Sequence, residues 1–208
     1  MRVSDERRVV FVHVPKTGGS SIDRIFDTEV TDARKVPGRA RHAPYGRLLT
    51  AEPELADYWS FGFVRNPWAR LVSWWTMVGR VFERAEAGHP KAQQKLRNHP
   101  DAWLPEGEYR HDFDRFVLEG TVKLRKVGRP QVVTLSAGDR PVDFVGRLES
   151  FAEDVAIVRE HLALPPVDAV PHVNRTRHRD YRDYYNETTR DHVATVFARD
   201  LEAFGYTF

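Results

Sequence analysis

Apolar residues in this chain fall into two patterns, short unbroken runs and one-sided helical stripes. Residues 9–14, VVFVHV, are nearly all apolar and mostly β-branched, and the run is too short for a buried helix. That predicts a strand covered on both faces. Pro15 donates no ladder hydrogen bond and ends it. Past the turn Lys16-Thr17-Gly18-Gly19, the residues Ile22, Ile25 and Phe26 recur on one helical face, with Ser20 or Ser21 as the expected N-cap. The same order returns downstream. Residues 59–64, WSFGFV, read as a second buried strand, followed by Arg65-Asn66-Pro67 and a helix over 68–82. Leu71, Val72, Trp75, Val78 and Phe82 form its apolar side, and Trp74 falls off that stripe. Asn66 suits the N-cap and Pro67 the first helical position.

The remaining segments carry weaker patterns. Residues 30–47 read as a basic loop with one short strand, and 48–58 as a short helix with Leu48, Leu49, Leu55 and Tyr58 inward. Residues 83–112 are polar and broken by Gly88, Pro90, Pro100, Pro105 and Gly107. They predict an irregular substrate-side insertion with one helix near 91–97. A short helix is expected over 113–119, strands over 131–135 and 142–145, and a helix after Ser150 with Phe151, Val155, Val158 and Leu162 inward. A polar loop dense in Arg175, Arg177, His178, Arg179 and Arg182 precedes a last helix over 187–203, which Gly205 terminates. Strands alternating with helices predict an α/β fold around a parallel sheet. Ligands in such sheets sit beyond the strand C-termini, where the Lys16 turn and Arg65 both fall.

Composition narrows the class. The chain has 208 residues, which predicts a single domain over 1–208. Lys and Arg number 32 against 30 Asp and Glu, a balance that argues against a general nucleic-acid binder. The absence of cysteine removes disulfides, thiolate catalysis and cysteine zinc sites. No signal-type apolar core and no run near the roughly 20 residues of a membrane span is present, so a soluble, cytoplasmic protein without a membrane partner is expected. No HExxH-like ligand pattern points to a metal.

The chemistry concentrates at residues 9–21. Adjacent glycines let backbone N–H groups turn inward, the helix start adds partial positive charge, and Lys16 adds a full one. A strand, a glycine turn with a lysine and then a helix make a site for a phosphate-like anion. It is not a Walker A loop, because Lys16 precedes Gly18 and Gly19 instead of following them.

Val12-His13-Val14-Pro15-Lys16-Thr17-Gly18-Gly19-Ser20-Ser21 resembles the 5′-phosphosulfate loop of sulfotransferases that use PAPS, 3′-phosphoadenosine 5′-phosphosulfate. Phe63-Val64-Arg65-Asn66-Pro67, followed by Arg70-Leu71-Val72-Ser73, resembles their 3′-phosphate segment. Asp143-Phe144-Val145-Gly146-Arg147-Leu148-Glu149 and Asp200-Leu201-Glu202-Ala203-Phe204-Gly205-Tyr206 are similar to the branch that holds carbohydrate O-sulfotransferases and many small bacterial members.

The resemblance implies a P-loop-NTPase-like three-layer fold, with helices flanking the central parallel sheet. It implies that Lys16 contacts the phosphosulfate and stabilises the leaving oxygen. The N–H groups and hydroxyls of Thr17, Gly18, Gly19, Ser20 and Ser21 would hold the 5′-phosphate, and Arg65 and Ser73 the 3′-phosphate. A histidine general base is needed for a hydroxyl acceptor, and His42 lies where related glycan enzymes carry theirs; His13, inside the first strand, reads as a packing residue. The implied activity is metal-free sulfuryl transfer to a sugar or other small molecule. The alternatives are a nucleotide kinase or NTPase with a variant loop, and a non-catalytic nucleotide-binding protein of the same descent. No feature of the sequence specifies an oligomeric state.

Overall fold

The sheet is built on the two buried runs. In the computed structural model, which describes residues 1–167 and 179–208, strands β1 (Arg2–Ser4), β2 (Val9–Val12), β3 (Trp59–Val64) and β6 (Phe144–Arg147) form one sheet in the order β1-β2-β3-β6. The pairs β2–β3 and β3–β6 are parallel, with Val12 opposite Gly62 and Val64 opposite Arg147. Edge strand β1 is antiparallel to β2. It escapes the sequence pattern because it has three residues and one of them is charged. Strands β4 (Ser136–Ala137) and β5 (Arg140–Pro141) make a separate small ribbon. Asp143, ahead of β6, accepts from both the backbone N–H and the hydroxyl of Ser60 at 2.7 Å, which fixes the register of β6 on β3.

Contacts divide the described residues into two compact units. One comprises Met1–Arg65 and residues 131–167, the other Asn66–Pro130 and residues 179–208. The first unit holds the sheet. On one sheet face Phe11, Phe61 and Phe63 meet Ile22, Ile25 and Phe26 of helix α1 (Gly19–Glu29) and Phe151, Val155 and Val158 of the helix Phe151–His161. Each fully buried side chain of this kind contributes roughly 1.5–3 kcal/mol. Val10, Val12, Ser60 and Val64 are also fully enclosed, so the opposite face is covered too. This is an α/β fold with a parallel-strand sheet flanked by helices.

The second unit packs around helix α3 (Pro67–Glu86), whose Trp68, Leu71, Val72, Trp74 and Val78 join Phe116, Val193 and Phe197 in one core. Trp74 is buried and Trp75 only partly so, the reverse of the expected stripe. Arg70 is fully buried here, with its guanidinium 5.0 Å over the Phe197 ring and donating to the carbonyls of Val127 and Arg129. Among the described residues no helix is long and apolar enough to cross a membrane.

Four expectations change. Residues 83–112 are mostly helical, with α3 running to Glu86 and helices over Pro90–Asn98 and Pro100–Gly107. The prolines that looked like breakers stand at the first helical position, where a missing N–H is harmless, and only Pro105 lies inside. Residues 131–134 form a helical turn rather than a strand, because the Gln131 side chain, not a ladder, meets the end of β3. The 48–58 helix divides into α2 (Tyr45–Ala51) and a 3₁₀ turn over Pro53–Asp57. The last helix breaks at Phe197 into Glu187–Val196 and Ala198–Phe204, with Gly205 as the left-handed C-cap. Arg175, Arg177 and His178 lie outside the described residues.

Candidate active site

The turn after β2 is an open helix start. Lys16 sits at φ 71° and Gly18 at φ 82°, both left-handed. For a lysine this conformation is uncommon, and strain on the order of 1–3 kcal/mol of this kind collects at functional sites. Gly18, not Ser20 or Ser21, is the N-cap of α1, and no side chain caps the helix. The first turn also lacks an acidic residue. No side-chain cap and no carboxylate therefore offset the partial positive charge at the start of α1, where the Ser21 N–H turns back onto the Gly18 carbonyl at 2.9 Å. Thr17 is buried and its hydroxyl donates to the Val14 carbonyl at 2.9 Å, stapling the turn. Its hydroxyl proton is thus committed internally, so toward an anion the residue offers its N–H.

His13 explains the second glycine. A Cβ on Gly19 would lie 2.3 Å from His13 Nε2 and 2.5 Å from its Cδ2, so the imidazole rests directly on the helix start. His13 is a packing residue, as its strand position suggested, and burial pushes its pKa down to about 4. Its Nδ1 lies 3.2 Å from an Asp23 carboxylate oxygen, a close contact without good hydrogen-bond alignment.

Asp23 is the hub that the sequence did not reveal. It sits one turn into α1, nearly buried, and receives Arg41 through Nε at 2.8 Å and through a second guanidinium nitrogen at 2.5 Å. Arg2 reaches it at 3.3 Å. Burial works to raise the Asp23 carboxyl, but His13 and Arg41 outweigh it and hold it well below the usual carboxylate range. Arg41 also donates to Ser20 Oγ at 3.1 Å, tying the basic 30–47 segment to the first turn of α1. No signal in the sequence marked it, because a polar-face aspartate of a helix is ordinarily solvated.

That tie brings His42 to the end of β2. The His42 and His13 rings meet edge to face at 4.5 Å. His42 Nδ1 lies 3.1 Å from the His13 carbonyl oxygen. A carbonyl only accepts, so Nδ1 carries the hydrogen and Nε2 of the neutral ring keeps its lone pair. Burial, reinforced by His13, lowers the His42 pKa to about 3, so the ring is neutral at ordinary pH.

Arg65 stands at the C-terminal end of β3, on the same sheet edge as the Lys16 turn, since β2 and β3 are parallel neighbours. Gln131 clamps it, accepting from its N–H at 3.0 Å and donating to its carbonyl at 2.8 Å. The structure thus brings Lys16, Thr17, Gly18, Gly19, Ser20, Ser21 and His42 together around the end of β2 and places Arg65 on the adjacent strand end. Ser73 belongs to the other unit, in the second turn of α3, and is buried.

The family model described as "Sulfotransferase family" matches residues 1–207. The chain belongs to the sulfotransferase family. The family's chemistry is sulfuryl transfer to an acceptor, and its fold is P-loop-like, in keeping with the sheet and loop above. No significant match was found among curated proteins or among solved structures. In this family member the residues that resembled a phosphosulfate loop are also those with left-handed backbone and an uncapped helix start.

Proposed function

We propose that this sulfotransferase moves the sulfuryl group of PAPS onto a hydroxyl of a sugar or another small molecule, with His42 as general base. The observation that carries the proposal is the His42 Nδ1 contact to the His13 carbonyl, which leaves the lone pair on Nε2, in a segment that Arg41 ties to the start of α1. The donor, when bound, supplies an activated sulfuryl group on a phosphate leaving group. The loop fits such a group, since its uncapped N–H groups and Lys16 offer positive charge and no carboxylate stands in the first turn. Lys16, the N–H groups of Thr17, Gly18, Gly19 and Ser20, and the hydroxyls of Ser20 and Ser21 would hold the 5′-phosphosulfate. Resemblance assigns Arg65 and Ser73 to the 3′-phosphate, and a charge-assisted arginine bond suits a dianion.

His42 Nε2 takes the acceptor's hydroxyl proton as the oxygen attacks in line, and Lys16 balances charge on the departing oxygen. This scheme needs no metal, because lysine and backbone dipoles supply the positive charge. We read residues 1–208 as one functional domain.

Turnover of radiolabelled PAPS against a panel of sugars, lipids and phenols tests the proposal. Lys16→Ala is expected to lose about 10²–10³ in kcat and to weaken 3′,5′-ADP binding. His42→Ala is expected to lose about 10²–10⁴ in turnover while 3′,5′-ADP binding stays intact. Wild-type turnover in His42→Ala would remove it as the base. Magnesium-dependent ATP binding in preference to 3′,5′-ADP would move the chain to the NTPase alternative.

A further inference from the structure

We infer that Arg41, anchored by Asp23, is the positioning residue of the general base: its guanidinium clamps the first turns of α1 and so fixes His42 in the tautomer that can accept a proton. The inference rests on the proposed role of His42 and names the residues through which that role is set.

The clamp is one fork on two acceptors. Arg41 Nε and Nη2 both donate to the same Asp23 oxygen, Oδ2, at 2.8 and 2.5 Å. Nη2 also donates to Ser20 Oγ at 3.1 Å. Ser20 and Asp23 stand three residues apart on α1 and share one helix face. Asp23 is held in turn from its other sides. Arg2 Nε reaches Oδ1 at 3.3 Å, and His13 Nδ1 lies 3.2 Å from Oδ2. The Asp23 side chain is buried, whereas that of Arg41 is about half exposed. An ion pair with one exposed partner adds little stability, so its geometry matters here more than its energy.

His42 is the next residue after the clamp. Its Nδ1–H donates to the His13 carbonyl at 3.1 Å, and its ring stands edge-on to the His13 ring at 4.5 Å. With Nδ1–H committed to a carbonyl, Nε2 keeps the lone pair that takes a hydroxyl proton. A shift of the segment by about 1 Å breaks that bond, and a displacement of that size in a reacting group costs up to about 10²-fold in rate. The clamp also touches the donor side. Ser20 Oγ accepts from Arg41, which leaves the hydroxyl proton of Ser20 to be donated to the phosphosulfate.

Charge makes Arg41 more than a tether. His13, Arg41 and the Met1 amino group all oppose a proton on His42, while the Asp23 carboxylate faces His13 and Arg41. Arg41 thus helps to keep neutral the ring that it places. Lysine would keep the charge but not the planar fork.

The test combines nitrogen-15 NMR of the full chain carrying nitrogen-15 histidine, titration with 3′,5′-ADP, and kcat with PAPS and the best acceptor of the panel above. His42→Gln assigns the His42 signals. Wild type is expected to show His42 as the neutral Nδ1–H tautomer. Arg41→Gln, a change at an exposed side chain, should melt like wild type. It should lower kcat by about 10- to 100-fold, change 3′,5′-ADP affinity by less than about threefold, and release His42 into both tautomers, titrating nearer its ordinary 6.5. Arg41→Lys should recover part of the kcat. Asp23→Asn should repeat the pattern, and Asp23→Asn/Arg41→Gln should lose no more than the worse single variant, since the two act as one unit. An unchanged His42 tautomer in Arg41→Gln would overturn the inference, as would multiplicative losses in the double variant. Equal falls in kcat and 3′,5′-ADP affinity would overturn it too, because Arg41 would then serve the donor alone. A changed tautomer with wild-type kcat would overturn it together with His42 as the base. A wild type that turns over no PAPS would sink the proposed function, and loss of the Nδ1–H tautomer in Arg41→Gln would still uphold the clamp.

Discussion

Two strand-to-helix junctions in this chain look alike in sequence and are built in opposite ways. After β2 the chain turns through left-handed Lys16 and Gly18, and α1 starts with no side-chain cap. After β3 the Asn66 side chain accepts from the N–H groups of Trp68 and Ala69, and Pro67 removes a third donor at the helix start. The first helix terminus is open to an anion, and the second is closed by its own residues. A helix N-terminus is thus not an anion site by default. It becomes one when no side chain caps it, and at the second junction recognition must come from side chains such as Arg65.

The comparison can be broken most forcefully at Gly19. Gly19→Ala improves intrinsic helix propensity, yet its methyl would enter the His13 ring. Overpacking of about 1–3 kcal/mol and loss of measurable 3′,5′-ADP binding are expected, read by denaturant melts and titration. Unchanged binding would show that the ring does not set the loop. Acid tests the same junction. His13 is lowered to about 4 and His42 to about 3, both from an ordinary 6.5, so the unfolded chain takes up protons first as pH falls. Stability is therefore full above about pH 6.5 and declines as pH falls toward 3–4. His42→Gln should flatten part of that slope in melts collected across pH. Asp23, held below its ordinary 3.8, adds its loss only at still lower pH.

Ser20→Asp would give the open helix the anion it lacks. A small gain in melting temperature is expected from the helix dipole, with 3′,5′-ADP affinity down at least about tenfold. Retained affinity would argue that the ligand does not meet this helix start. The smallest effect belongs to the closed junction. Asn66→Ala should cost about 1 kcal/mol through the lost cap and leave 3′,5′-ADP affinity as it was. A fall in affinity there would erase the distinction between the two junctions.

The two central strands and the helices that follow them were legible because each is decided by neighbours within a few residues. The run at 9–12, the run at 59–64 and the stripe Ile22, Ile25, Phe26 form β2, β3 and α1 as their patterns require. The misread segments are those where a distant partner decides. Residues 131–134 look like a strand by composition, but Gln131 replaces a ladder partner at Arg65, 66 residues away. Prolines at 90 and 100 look like loop markers until they are seen opening helices. At the site, the lysine–glycine turn could be read, whereas the Asp23 hub could not, since nothing local marks a helix aspartate as buried.

By itself, then, the sequence determined the order of strand, turn and helix, the residues at the first junction and the family they belong to. Local sterics and hydrophobic period carry that information along the chain. Only the tertiary structure decided that Gly18 leaves α1 uncapped, that His13 rests on Gly19, and that Asp23 and Arg41 draw His42 to the end of β2. Those facts depend on contacts that span up to 29 residues and on burial that strips water from the groups involved, which no local pattern encodes.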